Sequence, residues 1–559
     1  MARTRLYLIF LLLFTFFVSL KVTKAQYSSS YYLVSFKNKN NSNYSISNPK
    51  DYLSERAINR RKKANIPIDS TDLPVNTNYI DTLINYGAEI KYTSKWLNSA
   101  LIYIDDSSKL IPIINSIIVD SIRFLAPRIK SKKTKKTTLK IHEKASNTAF
   151  DYSSISNNAE TYHRIRMIEL NELIDSKYTG EGIQIAVLDN GFLKADKMKA
   201  FSHLFQANHI LGSKNFTTDG KDVFQSGSHG SYVLSTMGGY IKNKFTGSAI
   251  EADYYLFQTE DNRYELPIEE VNWLIAAEYA DSLGVNIITS SLSYSRFDSS
   301  AYNYNQSQLN GETAIVSQAA EFAAAKGILV FISAGNEGGK PWQKIGFPAD
   351  ADNILSVGSI DKDEKTSHFS SRGYSADKRI KPDITAIGEQ AALINTYDKI
   401  FRANGTSFSN PFMAGAAATL MQATNNTNAM QIRDAIIQSA RQFDNPDSLQ
   451  GYGIPNMYLA SILLNIDTIT NVKESADFII APNPFQNKFH ILFNSSEAKK
   501  ADFEIYDISG KIVFCKKNVP INQGKFFYSI SDLQNLSQSV YFINITIDGE
   551  RFTKKIVKY

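Results

Sequence analysis

Cysteine is nearly missing from this chain of 559 residues. Cys515 stands alone, so no intrachain disulfide can form, and the fold must rest on packing. The seven histidines are scattered, without the close Cys/His spacing of a zinc site, so no metal ligands are assigned. Neither sign of charge prevails: 61 Lys and Arg against 55 Asp and Glu leave a formal charge of +6, small for this length. Much of that excess sits in one run, residues 128–140, which argues against a general nucleic-acid surface. Apolar runs long enough to span a bilayer, about 20 residues, are also missing beyond the first segment. What remains is 43% apolar, enough to bury a core and to argue against wholesale disorder.

The length calls for several domains, since one compact unit holds roughly 100–200 residues. Two arginines in residues 1–5, an apolar stretch over 6–20 and small residues around Ala25 have the form of an export signal, residues 1–25. That stretch is too short and too early for a membrane anchor. Residues 26–148 alternate strand-like runs (32–36, 100–104) with a helical stretch (51–63), a small α+β unit that ends in the basic linker 128–140. That run reads as a solvated linker, and its position also suits a processing site. From 149 to 465 short apolar runs (183–188, 285–289, 328–332) alternate with helical patterns at 267–283 and 313–326. This order predicts a doubly wound α/β domain with a mostly parallel sheet, whose ligands bind at the carboxyl ends of the strands. A polar linker, 466–475, leads to residues 476–559, where alternating runs separated by Ser509-Gly510 and Asp548-Gly549 predict a β-sandwich.

Four positions at expected strand or helix ends carry chemistry. Asp189 ends the run 183–188 and precedes Asn190-Gly191; it reads either as a turn or as a carboxylate held rigidly at a crevice. His229 follows Ser228, a candidate helix cap, and precedes Gly230, whose missing side chain would leave room for substrate. Ser407 opens a helix crowded with small residues, where free backbone N–H groups and the helix dipole favour an anion; Gly-Thr-Ser also reads as a plain cap. Asn336, in the loop after 328–332, is either a polar loop residue or an amide donor to a developing oxyanion.

In the order Asp, His, Ser, and with Gly405, Thr406, Ser407, Ser409 and Pro411 matching a Gly-Thr-Ser-x-Ser-x-Pro signature, these segments resemble the subtilisin-like serine proteases. The resemblance implies that Ser407 is the nucleophile, His229 the general base and then acid, and Asp189 the carboxylate that orients the imidazole. Asn336 would share the oxyanion with the Ser407 N–H, and Ser291, Leu292, Ser293, Ser333, Ala334 and Gly335 would bind an extended polypeptide. Three positions depart from the family: Ser231 replaces threonine, Asn190 a small or hydroxylated residue, and Ser293 a glycine beside the cleft. The flanks fit the same picture. Residues 26–148 resemble an inhibitory, folding-assisting propeptide, hence a zymogen. Ala481-Pro-Asn-Pro-Phe485 and the basic-apolar terminus 554–559 resemble a type IX secretion sorting domain. The expected protein is a secreted endopeptidase, released or held at the cell surface. It acts as a monomer on polypeptides, engages the type IX machinery, and needs no cofactor beyond a structural calcium that the family allows. Two rivals are a peptide-binding scaffold without catalysis and an esterase using the same triad.

Overall fold

The computed structural model describes residues 29–127, 159–464 and 478–558, apart from 218, 219, 221, 425, 426, 482, 486, 487, 496, 498 and 532. The expected export signal, the basic run 128–140 and the linker 466–475 lie outside the described residues.

The N-terminal unit is an antiparallel sheet of β1 (Ser30–Phe36), β2 (Glu89–Ser94), β3 (Ser99–Ile104) and β4 (Val119–Pro127), in the order β2-β3-β1-β4. Period-two alternation gives the sheet two apolar faces. Val34, Phe36, Ile102 and Ile104 pack on the unit's own helices around Leu83 and Ile113. Tyr31, Leu33, Leu101 and Leu125 join the core of the following domain instead. Helix Glu55–Lys63 starts later than the sequence pattern suggests, because the Ser54 side chain accepts the Ala57 N–H and fixes the start there.

The central domain holds seven parallel strands: β5 (Gln184–Asp189), β6 (Ile210–Asn215), β9 (Asp253–Gln258), β10 (Ile287–Ser290), β11 (Leu329–Ser333), β12 (Leu355–Ile360) and β13 (Ile384–Ile387). Between β6 and β9 lies a small hairpin, β7 (Tyr240–Ile241) with β8 (Phe245–Thr246), and beyond β13 another, β14 (Ala391–Ile394) with β15 (Ile400–Ala403). The sheet order is β13-β12-β11-β10-β5-β9-β6. From β5 the chain crosses to β6 at the sheet edge, returns to fill β9 between them, then crosses to β10 on the other side of β5 and continues outward through β11, β12 and β13. The reversal leaves a switch point between β5 and β10, where a crevice opens at the strands' carboxyl ends. Helices cover both faces: Ile185 and Val187 point to the side of His229–Gly238 and Thr406–Gln422, and Ala186 and Leu188 to that of Ile268–Leu283 and Ile315–Ala325.

The C-terminal unit packs β16 (Ile479–Ala481), β17 (Phe489–Ser495) and β20 (Gly524–Ile530) against β18 (Lys499–Tyr506), β19 (Ile512–Ile521), β21 (Ser539–Ile547) and β22 (Glu550–Lys558). The paired strands are antiparallel, and one apolar core, including Phe489, Phe503 and Ile543, lies between the sheets.

Candidate active site

Asp189 is the last residue of β5 and fully buried. Its Oδ1 accepts the Asn190 N–H at 2.8 Å, and both oxygens face His229 Nδ1, at 2.8 and 3.1 Å. A carboxylate can only accept here, so Nδ1 carries the hydrogen and Nε2 is left as the base. The approach is built by backbone. Phe192, Leu193 and Lys194 donate to the carbonyls of Val223, Gly227 and Phe224, zipping the loop after Asp189 to the loop before His229. Gly191 sits at φ +119°, and a Cβ on it would lie 2.1 Å from the Ser226 carbonyl oxygen, so only glycine permits this contact.

Two local expectations are corrected. The Ser228 side chain makes no capping hydrogen bond; the residue already has helical angles, and its carbonyl accepts the Tyr232 N–H. Gly230 makes room for the chain itself, since a Cβ there would lie 2.3 Å from the Gly191 carbonyl oxygen. Ser231 keeps a hydroxyl where the family has threonine, and donates to the Leu193 carbonyl at 2.9 Å. Burial pulls the His229 pKa down, but the charge and hydrogen bond of Asp189 more than offset this and leave it above the ordinary value.

Ser407 is the second residue of helix Thr406–Gln422 and nearly buried. Pro411 has no N–H, so the Ser407 carbonyl loses its helical partner four residues on. The Ser291 hydroxyl replaces it, donating at 3.0 Å, while Ser407 Oγ donates a long bond of 3.5 Å to the Ser291 carbonyl. Asn410 Nδ2 bonds Thr289 Oγ1 and the Ser290 carbonyl, tying the helix to the end of β10. The Phe408 ring lies 5.9 Å from the His229 ring, so the imidazole and the serine share one wall of the crevice.

Asn336 follows β11. Its Oδ1 accepts from the Thr406 N–H at 2.9 Å and from Thr406 Oγ1 at 3.1 Å, and Oγ1 in turn accepts the Gly335 N–H. An N–H can only donate, so the amide orientation is fixed and Nδ2 is turned outward as a donor. Among the described residues, the Ser407 N–H has no acceptor, nor do Leu292 and Ser293 use their backbone groups. Ser333, Ala334 and Gly335 are buried, their carbonyl side closed by bonds from Gly346 to Ala334 and from Ser371 to Gly335. The crevice thus gathers Asp189 from the end of β5, Ser291 to Ser293 from the segment after β10, Ser333 to Asn336 from the end of β11 and the loop after it, and Ser407 from the helix mouth. The sequence reading missed Thr406 and Pro411 as supports, although a proline inside a small-residue helix is a visible sign of a carbonyl that needs another donor.

A further acidic group lies between the end of β9 and the first turn of helix Ile268–Leu283. Ligand oxygens of Glu260, Glu265 and Glu269 fall within 4.8 Å of one another and could hold a cation. Burial pushes all three carboxyls up, Glu265 to about 7. Much of their accepting capacity is already used, by Tyr294 and Thr259 on Glu260 and by the Asp261 and Leu266 N–H groups on Glu269.

A parallel sheet with an Asp–His pair and a helix-mouth serine at its switch point is the architecture of a serine hydrolase. Comparison with known proteins narrows this: residues 180–453 match the subtilase family, 31–141 the peptidase S8 propeptide domain of Bacteroidota, and 479–559 a secretion-system C-terminal sorting domain. Subtilisin DY of Bacillus licheniformis is 25% identical over 286 residues, 49% of this chain and 90% of that one. Subtilisin E of Bacillus subtilis (strain 168) is 27% identical over 303 residues, 53% of this chain and 70% of that one. A solved structure of MycP1 without its N-terminal propeptide covers 54% of this chain and 96% of its own at 19% identity, with a TM-score of 0.42. The chain carries a subtilase-family catalytic domain: it is a subtilisin-like serine peptidase with an N-terminal propeptide domain, sent to the cell exterior by its sorting domain.

Proposed function

We propose that the chain is a secreted endopeptidase that works through an acyl-enzyme on Ser407. His229 Nε2 takes the Ser407 proton as Oγ attacks the scissile carbonyl, then gives it to the leaving amine. Asp189 holds the imidazole in the required tautomer and stabilises its charged form. The negative charge on the tetrahedral intermediate meets Asn336 Nδ2 and the Ser407 N–H. Water activated by His229 then releases the acyl group. A rotation of the Ser407 side chain away from Ser291 brings Oγ to Nε2, the kind of tightening that accompanies substrate binding. The open backbone groups of Leu292 and Ser293 would pair with an extended substrate, with Ser291 supporting them from below and Ser333, Ala334 and Gly335 forming the facing wall. This favours polypeptides over small esters.

In this reading residues 1–25 direct export, 26–148 form an inhibitory propeptide with its linker, 149–465 the peptidase, 466–475 a linker and 476–559 the sorting domain. The propeptide is an intramolecular partner, the mature enzyme is a monomer without a required cofactor, and the type IX machinery reads the terminal domain. The observation that carries the proposal is the Asp189–His229 pair set beside Ser407 and Asn336 at the switch point. Labelling the secreted, processed protein with an active-serine phosphonate, and weighing the labelled species, tests it. We expect label and casein hydrolysis in the natural protein and neither in Ser407→Ala. Hydrolysis of short esters without casein would favour an esterase, and absence of both activities a peptide-binding scaffold.

A further inference from the structure

We infer that Ser293 narrows the primary specificity pocket, so that the enzyme cuts after a small uncharged residue such as alanine, serine or glycine. The inference rests on the peptidase reading above and names its substrate class.

The slot beside Asn336 has two walls and a floor. One wall is Leu292-Ser293 and the other Ala334-Gly335. The floor is Gly346, whose N–H bonds the Ala334 carbonyl at 3.2 Å. Tyr294 and Phe347 exchange both backbone hydrogen bonds, at 2.9 and 3.0 Å, which locks the first wall to the floor. Gly335 immediately precedes the proposed oxyanion donor, so the side chain of the residue under attack must enter here. Glycine on one wall and on the floor would leave a deep slot.

Ser293 fills that space. Its Oγ lies 1.9 Å from where a Cβ on Gly346 would stand and 3.4 Å from where one on Gly335 would stand. Its Cβ is 3.2 Å from the same Gly346 position. The two glycines make room for the serine hydroxyl rather than for substrate. The far side offers no relief: a Cβ on Gly335 would also meet Ser371 Oγ at 2.9 Å, and that hydroxyl is held by the Glu337 N–H at 3.0 Å. Among the described residues, Ser293 Oγ has no hydrogen-bond partner and the residue is exposed, so the hydroxyl faces whatever enters. A single methylene in an apolar pocket changes discrimination by about 10–200-fold, and Ser293 adds two heavy atoms relative to glycine.

The test uses the mature enzyme processed from the full chain, with tetrapeptide anilides that differ only in the residue before the anilide: alanine, serine, phenylalanine or lysine. The natural enzyme should favour alanine over phenylalanine by at least about tenfold in kcat/KM, and Ser293→Gly should raise the phenylalanine-to-alanine ratio by about 10–200-fold. Ser293→Ala should fall between. A natural enzyme that prefers phenylalanine or lysine overturns the inference whether or not the variants fold. So does a ratio that stays within about twofold in both variants, against that expected range. A protein that takes the phosphonate label yet shows either result sinks the pocket alone; one that neither labels nor cuts casein sinks the peptidase reading with it.

Discussion

Thr406 gives Asn336 its direction. By occupying Oδ1 with an N–H and a hydroxyl, it leaves Nδ2 as the group turned toward the crevice. Asn336→Ala should therefore lower kcat by about 10²–10³ with little change in KM, as expected for a donor used mainly in the transition state. Steady-state kinetics on one anilide checks this, and a KM effect of the same size would make Asn336 a binding residue instead. The imidazole supplies a second test. Because Asp189 holds the His229 pKa above its ordinary 6.5, and the base must be neutral, kcat/KM should fall as pH drops through a value above that. Asp189→Asn removes the charge that raises the pKa, so the acid limb should move to lower pH while the maximal rate falls by about 10⁴. An acid limb that stays in place would show that it belongs to another group. At this scale the order and neighbours of Asp189 and His229 marked two positions that the structure sets against each other, and those of Ser407 a position at a helix mouth. Two small residues misled. Gly230 serves the close approach of the Asp189 loop, a tertiary contact which no local pattern encodes, and Ser228 enters the helix with helical angles and no side-chain cap.

The helix that carries Ser407 is held from outside as much as from within. Pro411 removes one helical hydrogen bond, Ser291 replaces it, and Asn410 adds two bonds to β10. Ser291→Ala would leave the buried Ser407 carbonyl unpaired, and such a loss costs about 1–3 kcal/mol. Urea unfolding measured in an inactive Ser407→Ala background should show that decrease, with an unchanged m-value; no decrease would mean that water satisfies the carbonyl. Elements were legible wherever their apolar period was long. The runs 183–188 and 328–332 correspond to β5 and β11 within a residue. The run 285–289 does not: the strand begins at Ile287, because the Gly284 and Val285 N–H groups both turn back to the Ala280 carbonyl and finish the preceding helix. An apolar valine at a helix exit looks like a strand start until that hydrogen bond is seen.

Across the whole molecule, the contact between the propeptide unit and the peptidase is a buried network of charges, which composition alone does not reveal. Helix Glu55–Lys63 lays Arg56 and Arg60 over the ends of two peptidase helices. Arg56 donates to the Gly284 carbonyl, and Arg60 to the Val285 and Lys326 carbonyls. Cations there oppose the negative ends of the helix dipoles. Arg60, Arg61 and Lys95 also converge on Asp281, which is fully buried. Burial pushes the Asp281 carboxyl up, and the three cations more than reverse this, holding it well below the usual range. Its contribution is therefore present above the ordinary carboxylate pKa and lost in acid. Asp281→Ala in the inactive background should cost about 3–5 kcal/mol, because three buried cations lose a shared carboxylate and only Arg61 keeps another, Asp72. Glu278, one helical turn earlier, acts in the opposite sense. Burial raises it to about 7, against hydrogen bonds from Ser94 and the Lys95 and Trp96 N–H groups. A carboxyl whose folded pKa lies above its unfolded value binds its proton more tightly when docked, so its stabilisation is full below about pH 4.5 and fades as pH rises toward 7. Between those values the docked propeptide should weaken by about 3 kcal/mol, at 1.36 kcal/mol per pKa unit. Urea unfolding of the inactive full chain across that range should show this slope, and Glu278→Gln, which cannot titrate, should flatten it even if it lowers stability overall. A slope that survives the substitution would place the pH dependence of propeptide release elsewhere in the interface.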